Sequence, residues 1–204
     1  MQLSKSEMNN HKINVRALVA AVLLSAPVVC VAQVQTWQID PNHTAAQFSV
    51  RHMGISTVRG GFEKTTGTVN YDPADPSKLS IDATIDTATV NTRVQMRDND
   101  LRSAKYLDVA KYPAMTFKSA RTVVGGDSKF KITGDLTIHG VTKQVVLDVE
   151  GPSEAIKDPG GNLRMGASAT TVINRNDFGI TTMHGMIGDE IQIVLDVEMT
   201  RSSK

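Results

Sequence analysis

The chain has 204 residues, of which 22 are basic and 21 acidic, and Cys30 is its single cysteine. This length fits one domain of moderate size. The balance of charge gives no broad basic field for nucleic acid or for an anionic membrane, and a lone cysteine excludes an intramolecular disulfide or a cysteine-based metal site.

The N-terminal segment has the pattern of a secretory signal peptide. Lys12 and Arg16 precede an apolar stretch over residues 17–31, and Ala32 offers a small residue at the cleavage point. The stretch is too short for a membrane span. A lipoprotein signal modified on Cys30 is the alternative, and the bulky valine before that cysteine disfavours it.

Cleavage after this segment changes the charge only slightly. Residues 1–32 hold three of the basic and one of the acidic residues, which leaves 19 basic and 20 acidic residues in the mature chain. The mature chain, residues 33–204, has no thiol, so thiolate catalysis is excluded. We expect it to form one exported domain.

Apolar and polar residues alternate along the first part of the mature chain. In residues 79–85, for example, four apolar side chains fall on one face of a strand and three polar ones on the other. Residues 57–62 and 67–71 look like the two arms of a hairpin, and the Pro- and Asp-rich residues 72–77 predict a turn. The predicted strands here are residues 37–40, 46–52, 57–62, 67–71 and 79–85.

The period of the pattern then changes to that of a helix. Thr92 and Gln95 have the spacing of a capping box. The spacing predicts a helix over residues 93–103, with a further turn over 104–109, and Pro113 ends the region.

Strand-like alternation resumes after this insert and continues to the C-terminus. The complete pattern predicts an all-β fold of about eight antiparallel strands that close into a barrel. A barrel of this size either is filled by its own side chains or holds one small ligand, and alternation alone does not distinguish the two. The predicted strands here are residues 115–124, 129–138, 145–149, 163–174 and 190–200.

A series of short motifs covers essentially the whole mature chain. Together, and in this order, they resemble the YceI-like family of bacterial periplasmic lipid- and polyisoprenoid-binding proteins. The motifs are WQIDPNHT at 37–44, FSVRH at 48–52, VRGGF at 58–62, RD at 97–98, KYP at 111–113, TFKS at 116–119, GDLTIHGVTK at 134–143 and NRNDFG at 174–179.

The resemblance implies an eight-stranded antiparallel, lipocalin-like barrel with a short helical insert. It implies a long apolar ligand inside the barrel, either a polyisoprenoid, a quinone-like molecule or a fatty-acyl derivative. It also implies a periplasmic location. Some relatives accompany membrane cytochromes of the b561 type, and others are associated with envelope stress.

The chain departs from the family pattern on the predicted helix and just after it. Asp100 stands where the family motif has His, and Tyr106 and Leu107 replace a doubled Phe. Gln144 replaces a Pro further along. The first two departures bear on the contacts with a ligand head group more than on the fold.

Apolar residues on the inward face of the predicted barrel are the candidate ligand contacts. Two more, Phe178 and Met183, are candidates for the ends of the cavity, where methionine would suit a lid or an ordinary core position. The predicted wall consists of Phe48, Val50, Phe62, Leu101, Phe117, Ile132, Leu136, Ile138 and Ile173.

Two polar residues are candidate contacts for a ligand head group. His52 shares the parity of Phe48 and Val50 and is expected to face the interior, where it binds either the ligand or a group of the protein itself. Arg97 suits a pyrophosphate or carboxylate head, with a structural pairing to an acid as the alternative. For Arg175 we expect a structural ion pair with Asp177 or another acid.

Metal binding and catalysis have little support in the sequence. The four histidines of the mature chain, His43, His52, His139 and His184, lack the short spacings of metal ligands on one element. No nucleophile elbow or glycine-rich phosphate loop is present. We expect neither a cofactor nor a metal, and no catalytic residues.

The sequence therefore predicts a non-enzymatic periplasmic protein that carries or sequesters a polyisoprenoid, quinone-like or fatty-acyl ligand. The alternative is a filled barrel that acts as an interaction module, partnering a membrane cytochrome or stabilising the envelope. An enzyme acting on a bound lipid would need a converging acid–base pair. We expect no nucleic acid and no stable membrane anchor, and either a monomer or a homodimer.

Overall fold

The computed structural model describes residues 34–203. The predicted signal peptide, residues 1–32, lies outside the described residues. Within them, no helix is long and apolar enough to cross a bilayer. The strands and the one α-helix of the described residues are β1 (Gln35–Ile39), β2 (Ala45–His52), β3 (Ser56–Phe62), β4 (Thr65–Tyr71), β5 (Ser80–Asp86), β6 (Val90–Asn91), α1 (Gln95–Arg102), β7 (Ala114–Val124), β8 (Lys129–Ile138), β9 (Val141–Glu150), β10 (Ile156–Lys157), β11 (Leu163–Asn174) and β12 (Ile187–Arg201).

These strands form a closed antiparallel barrel of eight long strands. The first three are each interrupted once, so that β1 and β2, β3 and β4, and β5 and β6 are consecutive halves of one barrel strand. β7, β8, β9, β11 and β12 follow in order around the barrel. β12 pairs with β11 on one side and with both β1 and β2 on the other, which closes the ring. The predicted fold class is confirmed.

The predicted hairpin between residues 57–62 and 67–71 is wrong. β3 pairs with β2, and β4 pairs with β1, so the two segments do not pair with each other. Glu63 and Lys64 interrupt a single barrel strand instead of reversing it. These two polar residues have the composition of a turn, and only the pairing partners of β3 and β4 show that the strand continues in the same direction.

The helix begins two residues later than predicted, and the capping box does not form. Its N-cap is Val94, whose side chain accepts no capping hydrogen bond. The hydroxyl of Thr92 donates to the carboxylate of Asp98 and so does not cap the helix. The predicted turn over residues 104–109 is present as a series of hydrogen-bonded turns without helix, such as Leu107 N–H to the carbonyl of Leu101 at 3.0 Å.

Two glycines occupy positions where a side chain would not fit. Gly134 interrupts the alternation of β8, and a Cβ there would lie 2.4 Å from the ring of Phe117 on β7. Gly140 follows His139 in the two-residue turn between β8 and β9, where both residues have positive φ, of 74° and 52°. This combination is typical of a type I′ hairpin turn. A Cβ on Gly140 would also lie 2.4 Å from the ring of Tyr112.

The barrel has two differently built ends. At the end that holds the β7–β8 turn, which we call the closed end, a dense cluster surrounds Trp37, Ile132 and Met199, all nearly inaccessible to solvent. At the opposite end, which holds α1 and the β2–β3 turn, a smaller cluster surrounds Phe178 and Ile138. The less complete packing at this second end leaves space inside the barrel.

A network of charges fastens the closed end. Arg164 on β11 donates to the carboxylates of Asp40 and Asp158, at 2.9 and 2.8 Å, and to that of Glu198. His43 also binds Asp40, at 2.9 Å. Asp40, His43 and Glu198 bring metal-ligand atoms within 4.8 Å of one another. The guanidinium of Arg164 already bridges the two carboxylates, so the cation at this place is an arginine.

We predict that Asp40→Asn reduces the loss of stability in acid. Hydrogen bonds from His43 and from the amide of Asn42, together with Arg164, lower the pKa of Asp40 from 3.8 to about 2. A carboxylate with a lowered pKa stabilises the folded state above its unfolded pKa and loses that contribution as the pH falls through the folded value. Urea midpoints should therefore fall between about pH 4 and pH 2 in the native chain, and less steeply in the variant.

Asp196→Asn is the control, because Asp196 is exposed on β12 and makes no ion pair within residues 34–203. Its acid limb should match that of the native chain. Parallel limbs for the native chain and Asp40→Asn would contradict the prediction.

Candidate ligand-binding site

The interior of the barrel contains a cavity of about 570 Å³. This volume lies within the range of small-molecule sites, which is about 300–1,000 Å³. The cavity extends from Val69, Leu79 and Val149, near the closed end, to Met96 and Met183 at the opposite end. The barrel is therefore not filled by its own side chains.

The cavity opens to solvent at the end that carries α1. Met96 and Met183 line it and are nevertheless 80% and 45% exposed. Three segments surround the opening: the β2–β3 turn at residues 53–55, helix α1, and the connection between β11 and β12 at residues 179–186. We call these three segments the mouth. The first and the third of these segments are in direct contact, because the amide of Met53 donates to the carbonyl of Met186 at 2.6 Å.

All thirteen candidate residues line this one cavity. The deeper wall is buried, and the wall near the mouth is half-buried because it faces the open cavity rather than packed side chains. The residues brought together are Phe48, Val50, His52, Phe62, Arg97, Leu101, Phe117, Ile132, Leu136, Ile138, Ile173, Phe178 and Met183.

Sequence reasoning missed further wall residues, although a signal for them was present. Alternate residues of β12 line the cavity, and the same alternation is visible in residues 191–199. Thr65 also lies in the wall, but it belongs to no recognisable sequence pattern that would have marked it. The missed residues of β12 are Ile187, Ile191, Ile193, Leu195, Val197 and Met199.

His52 faces the cavity near the mouth, at the end of β2. Its ring makes no hydrogen bond to any group within residues 34–203. Among the described residues, therefore, neither a backbone group nor a carboxylate of the protein binds this histidine. Its two ring nitrogens remain available to a polar group of a ligand, as donor or acceptor according to the tautomer.

Arg97 and Asp98 do not pair with each other but meet at Thr92. The carboxylate of the buried Asp98 accepts from the Thr92 amide at 2.8 Å and from its hydroxyl. Arg97 donates to the hydroxyl oxygen and the carbonyl of Thr92, at 2.8 and 2.9 Å. Its guanidinium has no carboxylate partner among the described residues and lines the cavity. The alternative that Arg97 forms a structural ion pair with an acid is thus not found within residues 34–203.

Close packing holds this arrangement against β3. Gly60 lies beneath both Thr92 and Phe48, and a Cβ on it would lie 2.7 Å from each side chain. The glycine thus allows the aromatic wall and the arginine support to approach the same strand. The position of Arg97 at the mouth depends on this approach.

Arg175 has a structural role, as expected, although its acid is not Asp177. Its side chain is 5% exposed and lines the cavity, and its N–H groups donate to acceptors of the mouth and of the adjoining start of β12. The acceptors, at 2.7–3.1 Å, are the carbonyl oxygens of Ile180, Thr182, Ile187 and Gly188 and the carboxylate of Asp189.

Comparison with known proteins agrees with this architecture. The model of the YceI-like domain matches residues 37–199. A protein named YceI from Salmonella arizonae is 36% identical over 187 residues, which cover 92% of this chain and 97% of the relative. The chain belongs to the YceI-like family.

Two solved structures share the barrel. BcnA of Burkholderia cenocepacia has a TM-score of 0.69 at 23% identity, over 78% of this chain and 98% of that one. A polyisoprenoid-binding domain from Saccharophagus degradans, implicated in plant cell wall breakdown, has a TM-score of 0.61 at 16% identity, over 82% and 98%. At these identities the two structures show a common fold.

The departures from the YceI-like pattern on α1 and just after it lie at the cavity, whereas Gln144 lies outside its lining. Asp100, Tyr106 and Leu107 all line it near the mouth. Burial and the nearby charge of Asp100 raise the pKa of Tyr106, so its phenol stays protonated at neutral pH and can donate a hydrogen bond. These departures thus change the polar groups at the mouth of the cavity, while the deep wall stays apolar.

We predict that Asp98→Ala lowers the free energy of unfolding by about 2 kcal/mol, since it leaves the buried amide of Thr92 without an acceptor. Asp100→Ala, two residues on and exposed, should change it by less than about 0.5 kcal/mol. Urea unfolding measures both. Equal costs for the two variants would show that Asp98 is not the support described here.

Proposed function

We propose that this protein binds a long-chain apolar ligand inside the barrel and carries or sequesters it in the periplasm. The ligand classes that fit are polyisoprenoids, quinone-like molecules and fatty-acyl derivatives. The observation that carries the proposal is the cavity itself, because its deep wall is apolar and its charged lining residues, such as Arg97 and Asp100, lie near the mouth.

Burial of hydrocarbon supplies enough free energy for this function. Each methylene removed from water contributes about 0.8 kcal/mol, so ten would contribute about 8 kcal/mol before the costs of association. No specific chemistry is needed along the wall. The polyisoprenoid-binding domain of Saccharophagus degradans, which has the same fold, supports this class of ligand.

The distribution of polar groups supports one orientation of the ligand. The apolar chain would extend toward Leu79 and Val149, and its head would remain near Arg97 and His52 at the mouth. A guanidinium without a carboxylate partner suits a carboxylate or pyrophosphate head. His52 suits a carbonyl or hydroxyl.

The proposed function involves no chemical transformation of the ligand. Within residues 34–203 the imidazole of His52 has no carboxylate partner that would make it a general base. The arginine that is 5% exposed, Arg175, is committed to backbone carbonyls and to Asp189. Turnover of a candidate lipid, lost in His52→Ala, would be required to support an enzyme instead.

The first experiment is to purify the mature protein from its own periplasm and to analyse an organic extract by mass spectrometry. A long-chain lipid in stoichiometric amount would support the proposal and identify the ligand. An empty protein that also fails to bind palmitate and a long-chain isoprenol in titrations would overturn it, and the alternative of a protein partner would then be preferred.

We predict that Val145→Trp lowers the affinity for palmitate at least about tenfold. The Val145 side chain lines the cavity, and an indole there would displace at least two methylenes of a bound chain, each worth about 0.8 kcal/mol. Val146→Trp is the matched control, because the next residue of β9 points outward and is 45% exposed. Equal affinities of the two variants would contradict a ligand in the barrel.

We predict that Arg97→Gln weakens palmitate about tenfold and leaves hexadecanol nearly unchanged, because a charge-assisted hydrogen bond contributes about 1.5–3 kcal/mol. The two ligands differ only in the head, so a general disturbance of the mouth would affect both. Arg59→Gln, on the outer face of β3, is the control. An equal loss for both ligands would show that Arg97 does not read the head group.

A further inference from the structure

The mouth of the cavity carries a cluster of large apolar side chains that project into solvent. Four are methionines, and the fifth, Ile55, is 80% exposed at the tip of the β2–β3 turn. These residues come from all three segments of the mouth. We call them the apolar rim: Met53, Ile55, Met96, Met183 and Met186.

The rim is a built feature of the backbone and not a frayed loop. Met53 and Met183 both have positive φ, of 51° and 57°, which turns each chain segment sharply at a methionine. The two turns are then joined by the 2.6 Å hydrogen bond from Met53 to Met186. Arg175 anchors the second turn through the carbonyls of Ile180 and Thr182.

The apolar rim is continuous with the interior of the barrel. Met96 and Met183 belong both to the rim and to the lining of the cavity. An apolar chain leaving the cavity therefore meets methionine before it meets water. An exposed apolar surface continuous with a ligand cavity is typical of a surface that contacts another apolar phase.

Basic side chains without acid partners surround the rim. Arg51, Arg93 and Lys105 are exposed and make no ion pair within residues 34–203. The guanidinium of Arg51 instead donates to the hydroxyl of Thr57 and to the carbonyl of Gly54, which fixes its charge beside the tip of the turn.

Some of the acids near the rim bind other groups of the protein, whereas Asp177 and Glu190 are exposed and make no ion pair within residues 34–203. Asp98 accepts from Thr92, and Asp189 pairs with Arg175. Asp100 is exposed and lies on the cavity side of α1. At the closed end, four cations are paired with carboxylates: Lys78, Lys129, Lys131 and Arg164. The apolar rim is thus flanked by three exposed cations, Arg51, Arg93 and Lys105, that make no ion pair in the described part of the chain.

We propose that the mouth is a reversible docking surface for an anionic lipid bilayer. The apolar rim inserts among the head groups, and Arg51, Arg93 and Lys105 contact lipid phosphates. An apolar face flanked by basic residues is the pattern of interfacial membrane binding. The proposal rests on the proposed function, because docking places the opening of the cavity against the phase from which an apolar ligand comes.

Vesicle flotation tests the docking surface directly. The native protein should float with vesicles of phosphatidylcholine and phosphatidylglycerol, less with phosphatidylcholine alone, and less as salt increases. Ile55→Asp should lower the bound fraction at least about tenfold, because an aspartate replaces an apolar side chain that enters the interface. Ile156→Asp is the matched control, because Ile156 is 66% exposed at the closed end, and it should bind like the native protein.

A second pair of variants tests the charges. Arg93→Glu combined with Lys105→Glu should abolish the preference for the anionic vesicles, whereas Arg121→Glu, on the part of β7 nearest the closed end, should retain it. If the native protein does not bind vesicles, or if Ile55→Asp has no effect on binding, the proposal is overturned and a protein surface is favoured as the occupant. Equal binding to neutral and anionic vesicles would overturn the role of the cations.

Ligand uptake separates a failure of docking from a failure of the proposed function. Ile55 lies outside the cavity lining, so Ile55→Asp should bind dispersed palmitate as the native protein does and take up palmitate from anionic vesicles at least about tenfold more slowly. Equal transfer rates from vesicles would overturn the docking proposal while leaving binding intact. No binding of dispersed palmitate or isoprenol by the native protein would overturn the proposed function.

Discussion

The pairing of β11 with β12 is the interaction on which the rest of the structure depends. Their register runs without interruption from Leu163 opposite Arg201 to Asn174 opposite Glu190. β12 then bonds to β1 and β2 on its other edge, so that one long strand joins the last part of the chain to the first. Without this closure, the apolar face of every other strand would lie open to water, since an alternating strand can be dry on one face only.

Closure alone does not decide whether the barrel is filled, and the two ends resolve that question differently. At the closed end, Trp37 and Met199 occupy the interior. Toward the mouth, the barrel wall faces space, and the large buried side chain there, Phe178, comes from the segment that follows β11 and packs in a cluster with Ile138 and Ile173. Arginines fasten both ends: Arg164 binds three carboxylates, and Arg175 donates to carbonyls of the β11–β12 connection and of the start of β12. Polar chemistry is thus concentrated where regular structure stops, which leaves the middle apolar.

The sequence predicted the wall better than the mouth, for a physical reason. Strand alternation is a local property, and it correctly placed Val50, Leu136 and Ile173 in one cavity. Closure and partner choice are not local. The break at Glu63 and Lys64 has the composition of a turn, so a continuing strand was predicted to be a hairpin.

The errors at the mouth have the same origin. Thr92 has the spacing of a capping residue. Its hydroxyl instead donates to the carboxylate of Asp98, six residues along, because both side chains are buried side by side. His52 was correctly placed facing inward, whereas the absence of a protein partner for its ring depends on which side chains the fold brings near. No short motif carries that information. The apolar rim was also hidden, because its methionines come from three segments that only the fold unites.

A cavity with an apolar wall distinguishes ligands by length and shape rather than by chemical identity, so selectivity has to come from its opening. In this member of the YceI-like family, that opening combines Arg97, His52, Asp100 and the protonated Tyr106 with exposed methionines. In the proposed binding mode, the same few residues would meet the head of a ligand and lie beside the surface from which it would arrive. Selection and delivery would then be two properties of one small region at the mouth, separate from the barrel that holds the apolar chain.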